Sequence, residues 1–222
     1  MTVAYEWDWG ALWDNIPLLL EGILVTLLAS VASMAASLVL SIPLTLMRIS
    51  GRWLGVAAQL YIELFRNLPL LVLVLWVFTV LPLLTGLTLS PLLSGIVALT
   101  LNLTAFIAEI YRAGVTSIAA GQSHAALALG MTRLQLYKRI VLPQALMRVL
   151  PALGNMWVSL FKDTAILSVL GVGELMYNGR IAATDTYRPL EVFTGVAVIY
   201  YLLAYPQSLG VNWLFDKFKV QE

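Results

Sequence analysis

Residues 18–47 read LLLEGILVTLLASVASMAASLVLSIPLTLM, thirty positions that carry one charge, Glu21. About 20 apolar residues suffice to cross the hydrocarbon core of a bilayer as a helix. The stretch is apolar all round, whereas a membrane-spanning β-strand would alternate apolar and polar residues over roughly ten positions. Two further windows read the same way: Gly86–Ala108 and Val192–Val211 contain no charged residue. Across all 222 residues the chain is 60% hydrophobic and 11% charged, where soluble domains carry about 25% charged residues. The fold class that follows is all-α and membrane-integral.

Five spans are expected, at about 17–47, 55–82, 89–111, 146–170 and 190–214. The second is long for one crossing and holds Pro69, so a tilt or kink is expected there. Pro82 and Gly86 mark the following turn, and Gly171 with Gly173 breaks the fourth run, leaving its last part as a separate short helix. The first apolar run lacks a basic leader and is too long for a cleaved signal peptide, so it reads as a retained span. Ala29, Ser33, Ser37 and Ser41 recur every four residues, a small-residue stripe that lets helix backbones approach closely in lipid.

Charge sets the expected orientation. No Lys or Arg precedes Arg48, while Glu6, Asp8, Asp14 and Glu21 do. With the N-terminus outside, the cytoplasmic side receives Arg48, Arg52, Arg112, Arg133, Lys138, Arg139, Arg148, Lys217 and Lys219, nine of the thirteen basic residues. The outside receives Arg180 and Arg188. Cytoplasmic loops carry the excess of Lys and Arg, so an outside N-terminus and a cytoplasmic C-terminus are expected. Trp7, Trp9 and Trp13 suit an outer interfacial belt. Cysteine is absent and His124 is the single histidine, which excludes disulfides, thiolate metal sites and multi-histidine metal sites.

Residues 113–145 form the longest polar interruption, and on this orientation they face the cytosol. Ser123 is expected to cap a short helix over 124–129 that Gly130 ends. Thr132 with Gln135 three residues on is a capping-box pattern for a second short helix. Leu127, Leu129, Met131, Leu134 and Leu136 supply apolar contacts to this knob. Two readings are open: a grip for a cytosolic partner, or an amphipathic segment lying on the membrane surface.

His124-Ala125-Ala126, three residues, Gly130, nine residues, Ile140, one residue and Leu142-Pro143 resemble the EAA loop of ABC importer permeases. The wider run Gly121–Ala145 resembles the polar amino acid uptake branch, as do Glu63-Leu64-Phe65-Arg66-Asn67-Leu68-Pro69, Ala108–Gly114 and Lys162-Asp163-Thr164. The nearest likeness is to glutamate/aspartate permeases. The resemblance implies a type I ABC importer-like transmembrane domain covering residues 1–222. Its coupling segment, about 113–145, would dock on a cytosolic ABC ATPase dimer through Ser123, His124, Ala125, Ala126, Leu127, Gly130, Met131, Arg133, Ile140, Leu142 and Pro143. It further implies a second permease subunit, identical or related, and an extracytoplasmic solute-binding protein. The resemblance also implies the bacterial plasma (inner) membrane and its lipid as the setting, an amino acid as the substrate, and no nucleic acid partner. His124 stands where the loop's usual glutamate would be, replacing a charge with a titratable imidazole. The chain has no Gly-x4-Gly-Lys-Ser/Thr phosphate loop. It is therefore expected to bind no cofactor itself, with ATP and Mg on the partner ATPase, and to act as a transport subunit rather than an enzyme.

Charges inside a membrane are costly and usually face a cavity or a partner. Glu63 and Arg66, three apart, share a helix face with Asn67 beside them. Arg66 can meet a substrate carboxylate with Glu63 balancing it, or the two form a structural ion pair near the inner interface, where Arg can snorkel. If the fourth helix starts near Leu146, Lys162 lies about 24 Å along it, past the midplane. Asp163 suits a substrate ammonium, and Thr164 and Ser168, read as one turn apart, suit hydrogen bonding; the alternative is a Lys162–Asp163 pair serving helix contacts or the second subunit. Glu109 and Arg112 read as an interfacial pair anchoring the third helix. A competing function is an ion- or proton-coupled secondary amino acid carrier using Glu63, Glu109 or Asp163. It gives no reason for the coupling-type segment, and no inverted repeat is visible.

Overall fold

A computed structural model describes residues 5–51 and 53–218. Arg52 and Lys219, two of the cations used above for orientation, lie outside these residues. The elements are α1 (Gly10–Trp13), α2 (Ile16–Ile49), α3 (Trp53–Asn67), α4 (Leu70–Thr85), α5 (Pro91–Thr116), α6 (Ala120–Ala128) and α7 (Arg133–Leu136). A π-helical turn (Tyr137–Val141) leads into α8 (Leu142–Asp163), a 3₁₀ segment (Thr164–Leu170), α9 (Leu175–Thr186) and α10 (Pro189–Phe218). No strand occurs among the described residues. Three helices, α2, α5 and α10, are long and apolar enough to cross a membrane, and two bent pairs bring the number to as many as five.

The expected second span is a pair of helices, broken at Leu68-Pro69 rather than kinked. Proline lacks an N–H and drives the residue before it out of helical geometry. Pro69 is extended (ψ 130°), and its carbonyl accepts the first turn of α4 from Leu73 N at 3.1 Å. The break after the fourth run occurs as expected: Gly171 is left-handed (φ 77°) and α9 follows as a separate helix.

By internal contacts the chain divides into two compact units. The first comprises Met1–Ser33, Pro69–Leu99 and Ser159–Pro206. Its core gathers Leu19, Leu175, Ala182, Ala183, Val192 and Val196. Gly22 permits the close approach of α2 to the start of α9, because a Cβ there would stand 2.8 Å from the Leu175 backbone. Two bonds fasten the contact: Leu175 N donates to Thr26 Oγ1 (3.3 Å) and Asn178 Nδ2 to the Leu18 carbonyl (2.8 Å).

The second unit comprises Met34–Leu68, Thr100–Val158 and Gln207–Glu222. Here Ser37 Oγ donates to the Thr100 carbonyl (3.2 Å) and Thr45 Oγ1 to that of Ala108 (3.2 Å). The partner advances eight residues as the donor does, so α2 and α5 run parallel in this unit. The small-residue stripe is the reason they can: Ala29, Ser33, Ser37 and Ser41 are all fully buried. Tyr61 Oη to the Leu101 carbonyl (2.9 Å) and Asn102 Nδ2 to that of Phe65 (2.7 Å) hold α3 on α5.

Charge separates with the units. Of the twelve carboxylates in the sequence, eight fall in the first unit, against Lys162, Arg180 and Arg188. Of the thirteen cations, ten fall in the second, against Glu63, Glu109, Asp216 and Glu222.

Candidate coupling segment and substrate pathway

All the residues read as a coupling segment belong to the second unit. The first short helix starts earlier than the sequence suggests: α6 begins at Ala120, its N-cap Ala119 offers no side chain, and Ser123 lies inside it rather than capping it. Its end is as expected. Gly130 is left-handed (φ 80°), Gly130 N donates to the Leu127 carbonyl (3.0 Å) and Met131 N to that of Ala126 (3.1 Å). This paired pattern is the Schellman motif, which needs a residue free to adopt positive φ. Thr132 and Gln135 form the expected reciprocal box: Thr132 N donates to Gln135 Oε1 (2.9 Å) and Gln135 N to Thr132 Oγ1 (3.3 Å).

The second helix is not short. From Arg133 it continues through the π turn into α8 and ends at Asp163. Pro143 would ordinarily clash with the carbonyl four residues back and leave it unpaired. The π turn absorbs the misfit, with Leu142 N bonding Tyr137 O, five residues back. Gln144 Nε2 then donates to the Ile140 carbonyl (3.0 Å) and to Gln122 Oε1 (2.7 Å), tying α8 to α6. Beneath the turn, Ile118, Ala126, Leu136 and Val141 form a buried cluster against which Val115, Met131 and Ile140 pack. Met131, Leu136, Ala126 and Ile140 are thus inward-facing. His124, Ala125, Leu127, Arg133, Leu134, Leu142 and Pro143 are exposed, and Leu129 and Leu134 show 82% and 76% of their surface.

Next to this segment, Arg112 donates to Glu109 Oε2 through both Nε (2.9 Å) and Nη2 (2.8 Å), with Nε also 3.1 Å from Oε1, and Arg48 Nε stands 3.8 Å from Glu109 Oε1. The interfacial pair read from sequence is a trio, and Arg48 ties α2 to α5 through it. Arg148 Nη1 donates to the Ser117 carbonyl (2.6 Å), which sequence spacing alone does not reveal.

The two polar clusters read as pathway residues fall in different units. In the second unit Glu63, Arg66 and Asn67 are exposed at the end of α3. Glu63 does not ion-pair with Arg66. Its carboxylate accepts from Asn67 Nδ2 (3.3 Å), whose main bond is to the Glu63 carbonyl (2.7 Å), while the Arg66 guanidinium lies over the Phe106 ring at 5.2 Å. In the first unit Lys162 and Asp163 are exposed, with Ser159 Oγ 3.5 Å from Asp163 Oδ2. Thr164 and Ser168 are buried, and the Thr164 hydroxyl donates to the Phe161 carbonyl (2.8 Å). They do not share a face: the segment is 3₁₀, and at three residues per turn a spacing of four places side chains about 120° apart. Lys162 opens onto a groove of about 440 Å³ lined also by Ala165, Met176, Phe193, Val196, Ala197 and Tyr200.

Sequence reasoning overlooked two buried carboxylates in the first unit. Glu174 caps α9, accepting from Met176 N (2.9 Å), Tyr177 N (2.6 Å) and Tyr200 Oη (3.0 Å). Glu191 accepts from Tyr5 Oη (2.6 Å) and Asp8 N (2.8 Å), with Arg188 at 3.9 Å, and so fastens the N-terminal segment to α10. The isolated Glu at the foot of a Gly-rich turn was a usable sign for the first. Among the described residues no cluster of three or more His, Asp or Glu side chains is arranged to hold a metal ion.

Apolar helices of spanning length, single and in bent pairs, together with an exposed helix–glycine–helix segment in the cation-rich unit, are the features of a membrane-embedded transport subunit. Residues 37–219 match the family model for "Binding-protein-dependent transport system inner membrane component", and the chain belongs to that family. It is 36% identical over 217 residues to the glutamine transport system permease protein GlnP of Escherichia coli (strain K12), covering 97% of this chain and 99% of that one. It is 41% identical over 207 residues to the probable glutamine ABC transporter permease protein GlnM of Bacillus subtilis (strain 168), covering 91% and 94%. Among solved structures, an amino acid ABC transporter with histidines superimposes with a TM-score of 0.90 at 30% identity, covering 96% of this chain and all of that one. The fold is that of a type I ABC importer transmembrane domain, and the chain is an ABC importer permease subunit.

Proposed function

We propose that the chain builds one half of the translocation pathway of an ATP-driven importer for polar amino acids, with residues 1–222 acting as a single permease domain in the inner membrane. The observation that carries this reading is the coupling segment. Its glycine-terminated helix is rigidly backed, yet it presents Leu127, Leu129, Leu134 and Arg133 outward, where nothing in the chain covers them. Exposed leucines beside a cation suit a groove on a cytosolic ATPase dimer, which supplies ATP and Mg. Ser123, Ala125 and Ala126 keep that helix slim, Met131 and Ile140 back it, and Gly130, Leu142 and Pro143 set its turn and the following register. His124 replaces a carboxylate in that contact. The segregation of cations into the unit that holds the segment supports a cytoplasmic location for it and an outside N-terminus.

Substrate passes Arg66, available for a carboxylate, and Lys162 with Asp163, available for a carboxylate and an ammonium. Glu63 and Asn67 set the end of α3 that carries Arg66, and Thr164 and Ser168 support the Lys162–Asp163 turn from below. Glutamine, named for the relatives, heads the candidate substrates, with glutamate and aspartate next. A binding protein outside and a second permease complete the assembly. A secondary carrier would need a coupling carboxylate within a cavity, whereas Glu109 is neutralised by two arginines and Glu63 and Asp163 are exposed.

The test is reconstitution in liposomes with the ATPase, the binding protein and any second permease, followed by uptake of radiolabelled amino acids with and without ATP. Uptake that requires ATP and is lost in Gly130→Trp supports the reading. Uptake that follows a proton or sodium gradient and ignores ATP overturns it.

A further inference from the structure

The end of the first unit that carries the N-terminal segment presents a dense set of uncovered aromatic rings. Tyr5 packs edge-on to Trp7 (5.3 Å), and Trp7 stacks flat on Trp9 (5.5 Å, 5° between planes). Trp7 and Trp13 nevertheless show 57% and 64% of their surface. The first ring of the set is anchored. Tyr5 is fixed by Glu191, and Arg188 donates to the Glu6 carbonyl (2.7 Å) while lying over the Tyr5 ring (5.9 Å).

Tyr187, the residue before Arg188, is the one non-glycine among the described residues with positive φ (56°), and it is 88% exposed. A left-handed backbone costs free energy for any residue with a Cβ, least for Gly and Asn. An exposed side chain recovers nothing from packing within its own chain, so the tyrosine here works against the fold that carries it. The left-handed turn itself ends α9, as helices commonly do, so what the fold leaves unexplained is a tyrosine there in place of Gly or Asn.

Charge discriminates between the surfaces that can cover these rings. Glu6, Asp8 and Asp14 are interleaved with the tryptophans, and Asp185 sits two residues before Tyr187; none has Lys or Arg within ion-pair distance among the described residues. A segment built to lie on an anionic leaflet is rich in Lys and Arg; this one carries the opposite sign. Rigid Tyr and Trp rings ringed by carboxylates have the composition of a protein-binding hot spot with a polar rim.

We infer that Tyr5, Trp7, Trp9 and Tyr187, rimmed by Asp8 and Asp185, form the docking surface for the extracytoplasmic binding protein, which meets it with a basic face. This rests on the importer reading above and names where on the chain that partner lands.

The experiment uses the complete transporter in nanodiscs and titrates liganded binding protein against ATP hydrolysis. The variants are Trp7→Ser/Trp9→Ser, Tyr187→Gly and Asp185→Lys. Each is expected to raise the half-stimulating concentration at least about tenfold, the loss of a hot-spot contact. Basal hydrolysis and the rate at saturation should not change. Tyr187→Gly is diagnostic, because relief of strain should raise the thermal stability of the permease while weakening docking. The Asp185→Lys shift should shrink at high salt. Variant titrations that superimpose on the wild type overturn the assignment, as does a loss that appears only when anionic lipid replaces zwitterionic lipid, which would return the rings to the membrane. Failure of the wild-type transporter to respond to any binding protein is a different result, and overturns the importer reading itself.

Discussion

Replacing Glu174 tests the reasoning about the first unit most directly. Its side chain is fully buried and accepts three hydrogen bonds, two from the backbone N–H groups that open α9 and one from Tyr200 Oη. Glu174→Ala removes a helix cap, which costs about 0.5–2 kcal/mol. It also leaves the Tyr200 hydroxyl without its partner in a low-dielectric setting, a further penalty of about 1–3 kcal/mol. The sum, about 1.5–5 kcal/mol, corresponds to a melting temperature lower by about 3–20 °C for a chain of this size, at about 2–4 °C per kcal/mol. Glu174→Gln keeps one acceptor oxygen and should lose about half as much. The assay is thermal unfolding in detergent, run as a double-mutant cycle with Tyr200→Phe. Because Tyr200→Phe removes the stranded donor, the double variant should be less destabilised than the two single losses added together, by about 1 kcal/mol. If Glu174→Ala melts within a degree of the wild type, or the cycle shows strict additivity, the carboxylate is not holding α9 and α10 together and the argument fails.

Three further outcomes are expected. At Gly130 a Cβ would meet nothing within 4 Å, so the cost of substitution is backbone strain alone, about 1–2 kcal/mol; Gly130→Asn, which tolerates this conformation, should retain ATP-dependent uptake in liposomes and Gly130→Val should lose most of it. Ser37 is fully buried against α5, so Ser37→Leu should destabilise by about 1–3 kcal/mol through overpacking while Ser37→Ala costs about 0.6 kcal/mol for its interhelical bond, both read by thermal melting. The hydrogen bond to the Glu191 carboxylate, followed by burial, holds the Tyr5 phenol above its ordinary value of 10. A raised value means that the latch is intact below pH 10 and is lost as pH climbs through the folded value; tryptophan fluorescence should report the release of Trp7 and Trp9 in that alkaline range, and Tyr5→Phe should abolish the titration.

What could be read from sequence followed the range of the interaction. The Gly130 turn and the Thr132–Gln135 box depend on neighbours within a few positions, and both appear in the structure; of the five expected spans, three are single helices long and apolar enough to cross and two are bent pairs. The fourth helix reads as starting near Leu146, but the π turn lets one helix run from Arg133 to Asp163. Ser123 attracted a cap assignment that an alanine-rich helix start does not need. Thr164 and Ser168 read as one turn apart at 3.6 residues per turn, where the segment has three. Glu191 was hidden for another reason, since its bond to Tyr5 joins residues 186 apart and no local pattern announces it.

Each compact unit is assembled from three separated stretches, and the stretches alternate along the chain. A ribosome therefore delivers a third of one unit, then a third of the other, and neither has all its parts until α10 emerges. Residues 189–206 complete the first unit and residues 207–222 the second, so a single terminal helix closes both. Until then the carboxylate of Glu174 lacks the Tyr200 hydroxyl, and Glu191 has not yet been made to hold the N-terminal segment. A stop codon ahead of α10 should leave a chain that inserts but cannot consolidate, and that membrane proteases clear.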